Sequence, residues 1–163
     1  NELIKAGHAD GTRVCIVGAS YGGYAALAGA TLTPDLYTCA VSVNGVSDLP
    51  AFIGHAQRRR GDYGADYWEK RIGRRFKDAE LLAAISPANI ADRAGPPIQL
   101  IHGEDDTVVP IYQSERMAKA LETSGKAFEF IKLEGEDHWL SSGETRTSML
   151  RESLRFIEAH IGE

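Results

Sequence analysis

Four short runs of apolar residues, separated by longer segments with helical patterning, dominate the sequence. They cover residues 13–18, 37–43, 98–102 and 127–133, and each is rich in residue types that favour strands. Continuous apolar runs of this length, bounded by glycine, proline or other turn residues, are typical of strands that are buried on both faces of a parallel sheet. The pattern therefore predicts four buried strands.

Helical segments follow three of these runs. The small residues of 21–32 predict a helix, which ends before Pro34 and Asp35. Residues 111–123 predict a second helix, which Gly125 terminates. A final helix carries apolar residues at i, i+4, i+7 and i+11, and we expect this face to pack on the sheet: Leu150, Leu154, Ile157 and Ile161.

Residues 51–84 are less regular, with short helical patches that contain many aromatic and charged side chains. An excursion of this length between two strands usually forms a cap or wall over a site rather than part of the core. We expect this segment to serve as such a wall.

Strands that alternate with helices predict a parallel sheet with right-handed crossovers and helices on both faces, which is an α/β fold. The sequence has 163 residues, of which 43% are hydrophobic, and this suits one unit with a core of its own. We expect residues 1–163 to form a single domain or subdomain, as a piece of a longer chain.

The net charge of −5 argues against nucleic acid or an anionic membrane as the main partner. No apolar run reaches the ~18 residues that a membrane span needs. The arginines of 58–60 alternate with acidic residues further along the same segment, so we interpret them as a solvated helical face. Cys15 and Cys39 each lie in a predicted strand without metal-site spacing, and we expect both to be reduced packing residues.

The first strand leads into Gly18-Ala19-Ser20-Tyr21-Gly22, which has the Gly-x-Ser-x-Gly spacing of a nucleophile elbow. In such a strand–turn–helix the serine takes a strained conformation that exposes its hydroxyl, while nearby glycines allow a close approach of strand and helix. The turn also points the helix N-terminus and the Tyr21 N–H at an anion forming beside Ser20. We therefore predict that Ser20 is a nucleophile.

A serine hydroxyl needs a base and a carboxylate that orients the base. His138 follows the fourth strand and is our candidate base, whereas local structural roles are expected for His8, His55, His102 and His160. The acidic run after the third strand offers Glu104, Asp105 and Asp106, and the residues alone do not choose among them. An acid from this run gives the order serine, acid, histidine that is typical of α/β-hydrolases.

Three motifs together resemble the catalytic domain of the prolyl oligopeptidase family of serine peptidases, with the greatest likeness to its acylaminoacyl-peptidase and dipeptidyl-peptidase branches. They are the segments 18–24, 101–110 and 134–138, and residues 61–90 are also similar, so the likeness covers nearly the whole chain. The resemblance implies an α/β-hydrolase fold, of which this chain is the C-terminal half. It selects Asp106, which stands three residues before Val109-Pro110, as the third member of the triad.

The resemblance further implies that the Tyr21 N–H is one oxyanion donor, and that a β-propeller, the first strands and the second donor precede this segment. We therefore expect the edge of the 13–18 strand to pair with an upstream part of the same protein or with another copy. No cofactor or metal is implied.

We predict a serine hydrolase that cleaves peptides through an acyl-enzyme with Ser20, Asp106 and His138. Tyr21, Val46, Tyr67 and Trp68 are candidates for lining its substrate pocket. A carboxylesterase with the same triad is one alternative, because a fold does not determine its substrate. A folded but inactive piece that serves assembly is the other.

Overall fold

A single four-stranded parallel sheet forms the centre of the computed structural model, which describes residues 2–162. Its strands are β1 (Cys15–Ala19), β2 (Cys39–Val43), β3 (Ile98–Gly103) and β4 (Phe128–Leu133), in that spatial order. Each strand overlaps one of the predicted apolar runs, with ends that differ by no more than about two residues, as helix and strand limits usually do. The register brings the carboxyl ends of all four strands together at the same end of the sheet.

Helices cover both faces of the sheet. On one face α2 (Tyr21–Leu32) and α5 (Tyr112–Thr123) pack on strand residues, with Leu27, Leu100 and Met117 in one buried cluster. On the other face α6 (Gly143–Ile161) packs on the strand side chains that point the opposite way, such as Val41 and Ile101. This layered arrangement confirms the predicted α/β fold, in which successive strand side chains point to opposite faces. A short α1 (Glu2–Lys5) precedes Gly7, whose φ is 75°.

The predicted apolar face of α6 is wrong at two of its four positions. Leu150 and Leu154 are 57% and 56% exposed, whereas Phe156 is 2% exposed and contacts the sheet. Ser153 lies on the same buried face, and its hydroxyl donates a hydrogen bond to the carbonyl of Met149 within the helix. The large aromatic side chain of Phe156 thus sets the rotation of the helix.

Residues 51–84 are more regular than the sequence predicted. Most of them belong to α3 (Leu49–Ile72), which begins after Asp48, whose carboxylate accepts a hydrogen bond from the Ala51 N–H. The helix is broken by a non-helical conformation at Gly61, with φ of 60°, and α4 (Ala79–Ala84) follows. Side chains from both halves of α3, Phe52 and Trp68 among them, line a pocket that also contains Ser20, so this segment forms the expected wall.

The prediction of two reduced cysteines is wrong, because Cys15 and Cys39 form a disulfide. The two residues are direct partners in the β1–β2 register, with Cα atoms 4.6 Å apart. A distance of this size lies within the range that a disulfide requires. Spacing along the chain gave no sign of the pairing, which arises only when the two strands align.

Strand β1 lies at one end of the sheet, with no further strand beside it in residues 2–162. Its Val17 side chain is 51% exposed. The pairing of this edge with an upstream segment or a second copy stays a prediction. Within the same range of residues, no helix combines the length and the apolar character needed to cross a lipid bilayer.

Candidate active site

Ser20 lies at the sharp turn between β1 and α2, with φ of 57° and ψ of −117°. A non-glycine residue in this region costs on the order of 1–3 kcal/mol, and such strain is typical of functional sites. The Ser20 N–H donates to the carbonyl of Val43 at 2.9 Å, which fastens the turn to β2. The strained backbone and this anchor hold the hydroxyl above the edge of the sheet.

The glycines of this turn differ in whether a side chain would fit at their position. A Cβ on Gly18 would overlap the Gly22 carbonyl, and a Cβ on Gly23 would lie 2.7 Å from the Gly45 Cα. A Cβ on Gly22 meets no atom within 4 Å, so Gly22 is not needed for the close approach of strand and helix. Gly18 and Gly23 are therefore the glycines that let α2 follow β1 so closely.

Tyr21 is the first residue of α2, so its N–H has no partner within the helix. The N–H groups at this end of a helix carry a partial positive charge. An oxyanion role for the Tyr21 N–H stays a prediction.

The structure brings His138 and Asp106 to Ser20. His138 Nε2 lies 3.0 Å from Ser20 Oγ, and His138 Nδ1 lies 2.7 Å from Asp106 Oδ2. Both distances suit hydrogen bonds. Residues from the loops after β1, β3 and β4 thus form one continuous chain from hydroxyl to imidazole to carboxylate.

Asp106 is buried, with a side chain that is 0% exposed. Its second oxygen, Oδ1, accepts hydrogen bonds from the N–H groups of Val108 and Val109, each at 2.8 Å. Burial opposes the charged form, yet His102, His138 and the Val109 N–H outweigh it and lower the pKa of Asp106 from 3.8 to about 2. Asp106 is therefore an ionised carboxylate at neutral pH.

The other two acidic residues of the same loop, Glu104 and Asp105, are exposed, and neither side chain forms a hydrogen bond or an ion pair with His138. Their backbone N–H groups hold the loop in place by donating to the carbonyls of Leu133 and Glu136. Of the three acids that the sequence left open, only Asp106 faces the histidine.

His102 has the local structural role that the sequence predicted. It is fully buried, with Nδ1 2.7 Å from the Ser114 hydroxyl and Nε2 2.8 Å from the Val109 carbonyl. Nε2 also lies 3.6 Å from Asp106 Oδ2, so His102 faces the carboxylate whose pKa it helps to lower. His102 thereby fixes the shape of the loop that carries Asp106.

The other three histidines do not reach Ser20. His160 contacts the Phe156 carbonyl at 2.7 Å, and His55 contacts the Thr107 carbonyl at 3.0 Å. His8 is exposed in the turn after α1.

Asn44 is a residue of the site that the sequence analysis did not single out. It has φ of 48°, its Oδ1 accepts from the Gly103 N–H at 2.9 Å, and its Nδ2 donates to the His138 carbonyl at 3.1 Å. One side chain thus joins the ends of β2 and β3 to the histidine loop. The signal in the sequence was an Asn-Gly pair directly after a buried strand, where a positive φ is tolerated.

A narrow pocket of about 40 Å³ opens beside Ser20. Three of the four predicted lining residues take part in it, namely Tyr21, Val46 and Trp68. Its other walls are mainly apolar, and Phe52 and Val108 are among them. The pocket therefore suits an apolar side chain next to the serine.

Tyr67, the fourth predicted lining residue, lies outside this pocket and lines the neighbouring groove instead. The Arg71 guanidinium stacks 3.6 Å above its ring, and its ring meets Trp68 edge-on at 5.2 Å. The helical step from Trp68 to Tyr67 turns the two side chains to different faces of α3.

Among residues 2–162, no group of three or more histidine, cysteine or acidic side chains is arranged to hold a metal ion.

Comparison with known proteins gives one family for the whole chain. A model of the prolyl oligopeptidase family matches residues 1–163. The dipeptidyl aminopeptidase BIII of Pseudoxanthomonas mexicana is 29% identical over 164 residues, which cover 98% of this chain and 23% of that protein.

Solved structures agree with this match. A puromycin-hydrolyzing peptidase of Mycobacterium tuberculosis superimposes with a TM-score of 0.90 at 34% identity, over 99% of this chain and 24% of its own. An acylaminoacyl peptidase of Pyrococcus horikoshii gives a TM-score of 0.85 at 27% identity, over 99% of this chain and 26% of its own. The chain thus has an α/β-hydrolase fold and spans about a quarter of the length of the relatives that it matches.

Proposed function

The chain belongs to the prolyl oligopeptidase family, and from that premise we propose that it carries the catalytic triad of a serine peptidase, with Ser20 as nucleophile, His138 as base and Asp106 as the orienting carboxylate. The observation that carries this proposal is the unbroken chain of contacts, 3.0 Å from Ser20 Oγ to His138 Nε2 and 2.7 Å from His138 Nδ1 to Asp106 Oδ2. The contact to Asp106 sets the tautomer of neutral His138. The carboxylate accepts a hydrogen bond from Nδ1–H, so the proton stays on Nδ1 and Nε2 can accept the proton of the serine.

In the first half of the reaction, Ser20 Oγ attacks the carbonyl carbon of the scissile peptide bond as its proton passes to His138 Nε2. The carbonyl oxygen becomes an anion, and the Tyr21 N–H at the start of α2 donates to it. His138 then gives the proton to the leaving amine as the C–N bond breaks. An ester between Ser20 and the acyl part of the peptide remains.

In the second half, His138 takes a proton from water, and the resulting hydroxide attacks the acyl carbon. The ester bond breaks, the proton returns to Ser20 Oγ, and the product carboxylic acid leaves. Asp106 stabilises the His138 cation in both halves, and its low pKa keeps it ionised throughout.

The pocket beside Ser20 supports an apolar residue on one side of the scissile bond, since Val46, Trp68 and Phe52 form its walls. The names of the relatives support an amide substrate, because they describe an aminopeptidase, an acylaminoacyl peptidase and a puromycin-hydrolyzing peptidase. A second oxyanion donor and the remaining substrate contacts come, in this proposal, from an upstream part of the full-length protein.

Labelling with a fluorophosphonate probe, followed by intact-mass analysis, tests the nucleophile. We expect the full-length protein to gain one adduct and its Ser20→Ala variant to gain none, since only an activated serine reacts with such a probe. His138→Gln should slow labelling by at least about 10²-fold, because general-base assistance contributes a factor of this order. Labelling that persists in Ser20→Ala would contradict the proposal.

Paired amide and ester substrates with the same acyl part distinguish the peptidase from the carboxylesterase alternative. Turnover of both supports the peptidase, whereas turnover of the ester alone makes the protein an esterase with the same triad. The assembly alternative gains support if a folded, oligomeric full-length protein neither labels nor cleaves either substrate.

A further inference from the structure

A groove of about 360 Å³ runs between the two halves of α3 and the loop of Thr107 and Val108. It exists because the chain breaks at Gly61, which turns the second half of the helix against the first. Gly64 allows this close approach, since a Cβ there would overlap the Ala56 carbonyl. The loop wall is held by Asp106, whose Oδ1 accepts the Val108 N–H. The groove is therefore a fixed part of the site.

The lining of the groove is positively charged. Arg59 and Arg60 contribute to it, together with His55 and the exposed Tyr63, and none of its lining residues is a carboxylate. Such a local excess of positive charge is unexpected in a chain whose net charge is −5. The groove thus attracts anions even though the chain as a whole repels them.

The two arginines retain donors for a ligand. Within residues 2–162 no carboxylate lies within 4.0 Å of either guanidinium. Arg59 donates through Nη1 to the Thr107 carbonyl, which leaves its other N–H groups. The acidic residues that follow on α3 have other contacts, because Asp62 accepts from Gln57 and Asp66 pairs with Lys70.

The groove borders the pocket beside Ser20. Phe52, Trp68 and Val108 line both cavities, so the two share a wall. A peptide whose apolar side chain fills the Ser20 pocket can therefore extend into the groove. Arg59 and Arg60 are the cationic side chains that it would meet there.

We propose that this groove binds a carboxylate of the peptide substrate through Arg59 and Arg60, so that the site selects peptides with an acidic group near the cleaved bond. The inference rests on the proposed peptidase function. The carboxylate is either the side chain of an acidic residue or the free C-terminus of a short peptide, and both offer the two oxygens that a guanidinium binds.

Binding to the full-length Ser20→Ala protein tests the groove without turnover. The probes are fluorescein-labelled heptapeptides with an apolar residue at the centre. Each of the other six positions is varied one at a time, and it carries either glutamate or glutamine. Each is made with a free C-terminus and with an amide. We expect the carboxylate form to bind about 3- to 10-fold more tightly at one position, since a partly exposed charge-assisted contact contributes on this scale. The preference should shrink when the ionic strength rises from about 0.1 M to about 1 M, because screening shortens from about 10 Å to about 3 Å.

The peptide series separates the two sources. A preference for glutamate that persists with an amide terminus identifies an acidic side chain, whereas a preference for the free C-terminus in glutamine peptides identifies the terminal carboxylate. Arg60→Gln, made in the same background, should remove most of the preference for the carboxylate form.

Arg58→Gln is the matched control. It removes the same charge from the neighbouring position of α3, but Arg58 lies in a different depression, with Arg75 and Arg116, and not in the groove. The proposal is overturned if no peptide shows a carboxylate preference, if Arg60→Gln keeps the preference, or if Arg58→Gln reduces it equally.

Failure of this inference can be told apart from failure of the peptidase function. Hydrolysis of neutral peptides by the protein with Ser20 intact, without any carboxylate preference, removes only the groove assignment. Selective binding by the Ser20→Ala protein, without hydrolysis by the intact protein, keeps the groove and removes the peptidase.

Discussion

Replacing Asp106 by asparagine gives a sharp test of the proposed mechanism, because the structure determines how the new amide must sit. Oδ1 of Asp106 accepts two backbone N–H groups, from Val108 and Val109, each at 2.8 Å. The oxygen of an asparagine must take this place, since its NH2 group cannot accept a hydrogen bond. The NH2 group is then directed at His138 Nδ1, 2.7 Å from the present Oδ2.

An amide that donates to Nδ1 holds the proton of the neutral imidazole on Nε2. Nε2–H then faces Ser20 Oγ and cannot accept the serine proton, so general-base catalysis fails although the geometry is retained. In another serine peptidase with the same triad, the corresponding change lowers kcat about 10⁴-fold. This factor equals about 5.5 kcal/mol of lost transition-state stabilisation, and we expect a loss of similar size here.

The assay is kcat/KM for a neutral peptide, measured on the full-length protein and its Asp106→Asn and Asp105→Asn variants. Asp105 is the matched control, because it is an exposed carboxylate in the same loop and forms no hydrogen bond or ion pair with His138. Its variant should stay within about twofold of the parent, as a surface change away from the chemistry usually does. The reasoning is refuted if Asp106→Asn, folded as shown by an unchanged circular dichroism spectrum, keeps more than about a tenth of the activity, or if both variants lose activity alike.

Three further predictions concern the scaffold. The disulfide between Cys15 and Cys39 closes a loop with a sequence separation of 24, so replacing both cysteines by serine should lower the free energy of unfolding by about 3 kcal/mol in urea denaturation; equal stability of the two proteins would show that the bond does not contribute. Gly18→Ala should slow fluorophosphonate labelling by about 10²-fold, since its Cβ overlaps the Gly22 carbonyl and displaces the elbow, whereas Gly22→Ala, with open space around its Cβ, should label at nearly the parental rate. The pKa of Asp106 falls from 3.8 to about 2 on folding, so the ionised carboxylate stabilises the fold above pH of about 4, and this stabilisation is lost as the pH falls through about 2. Between these pH values the free energy of unfolding of the parent should fall by about 2 kcal/mol more than that of Asp106→Asn. Parallel plots of unfolding free energy against pH for the two proteins would contradict the assignment.

Much of the fold could be predicted because its signals are local. The apolar runs that became β1 to β4 are short and bounded by turn residues, and the limits of α2 match the prediction at both ends, Tyr21 and Leu32. The conformation of Ser20 was also predictable, since the glycine spacing around it suits one kind of sharp turn between a strand and a helix.

The errors lie where a distant contact overrides a local pattern. The apolar stripe of Leu150 and Leu154 was as regular as the one that packs, but Phe156 fills the space beside Val41 and sets the rotation of α6. Segment 51–84 has few strong helix signals, yet packing of its buried face on Val46 and Val109 maintains most of it as one broken helix.

Local patterns in the sequence were enough to predict the α/β architecture, the elbow at Ser20 and the chain order of serine, acid and histidine, because periodicity, turn chemistry and order are properties of neighbouring residues. Which residues from separate loops meet depends on three-dimensional packing. Packing buried Asp106 against His138 while leaving Asp105 in solvent, aligned Cys15 with Cys39, and placed the groove of Arg60 next to the pocket of Ser20. These contacts depend on strand register and on the packing of helices over the strand ends, and neither is encoded in the spacing of residues along the chain.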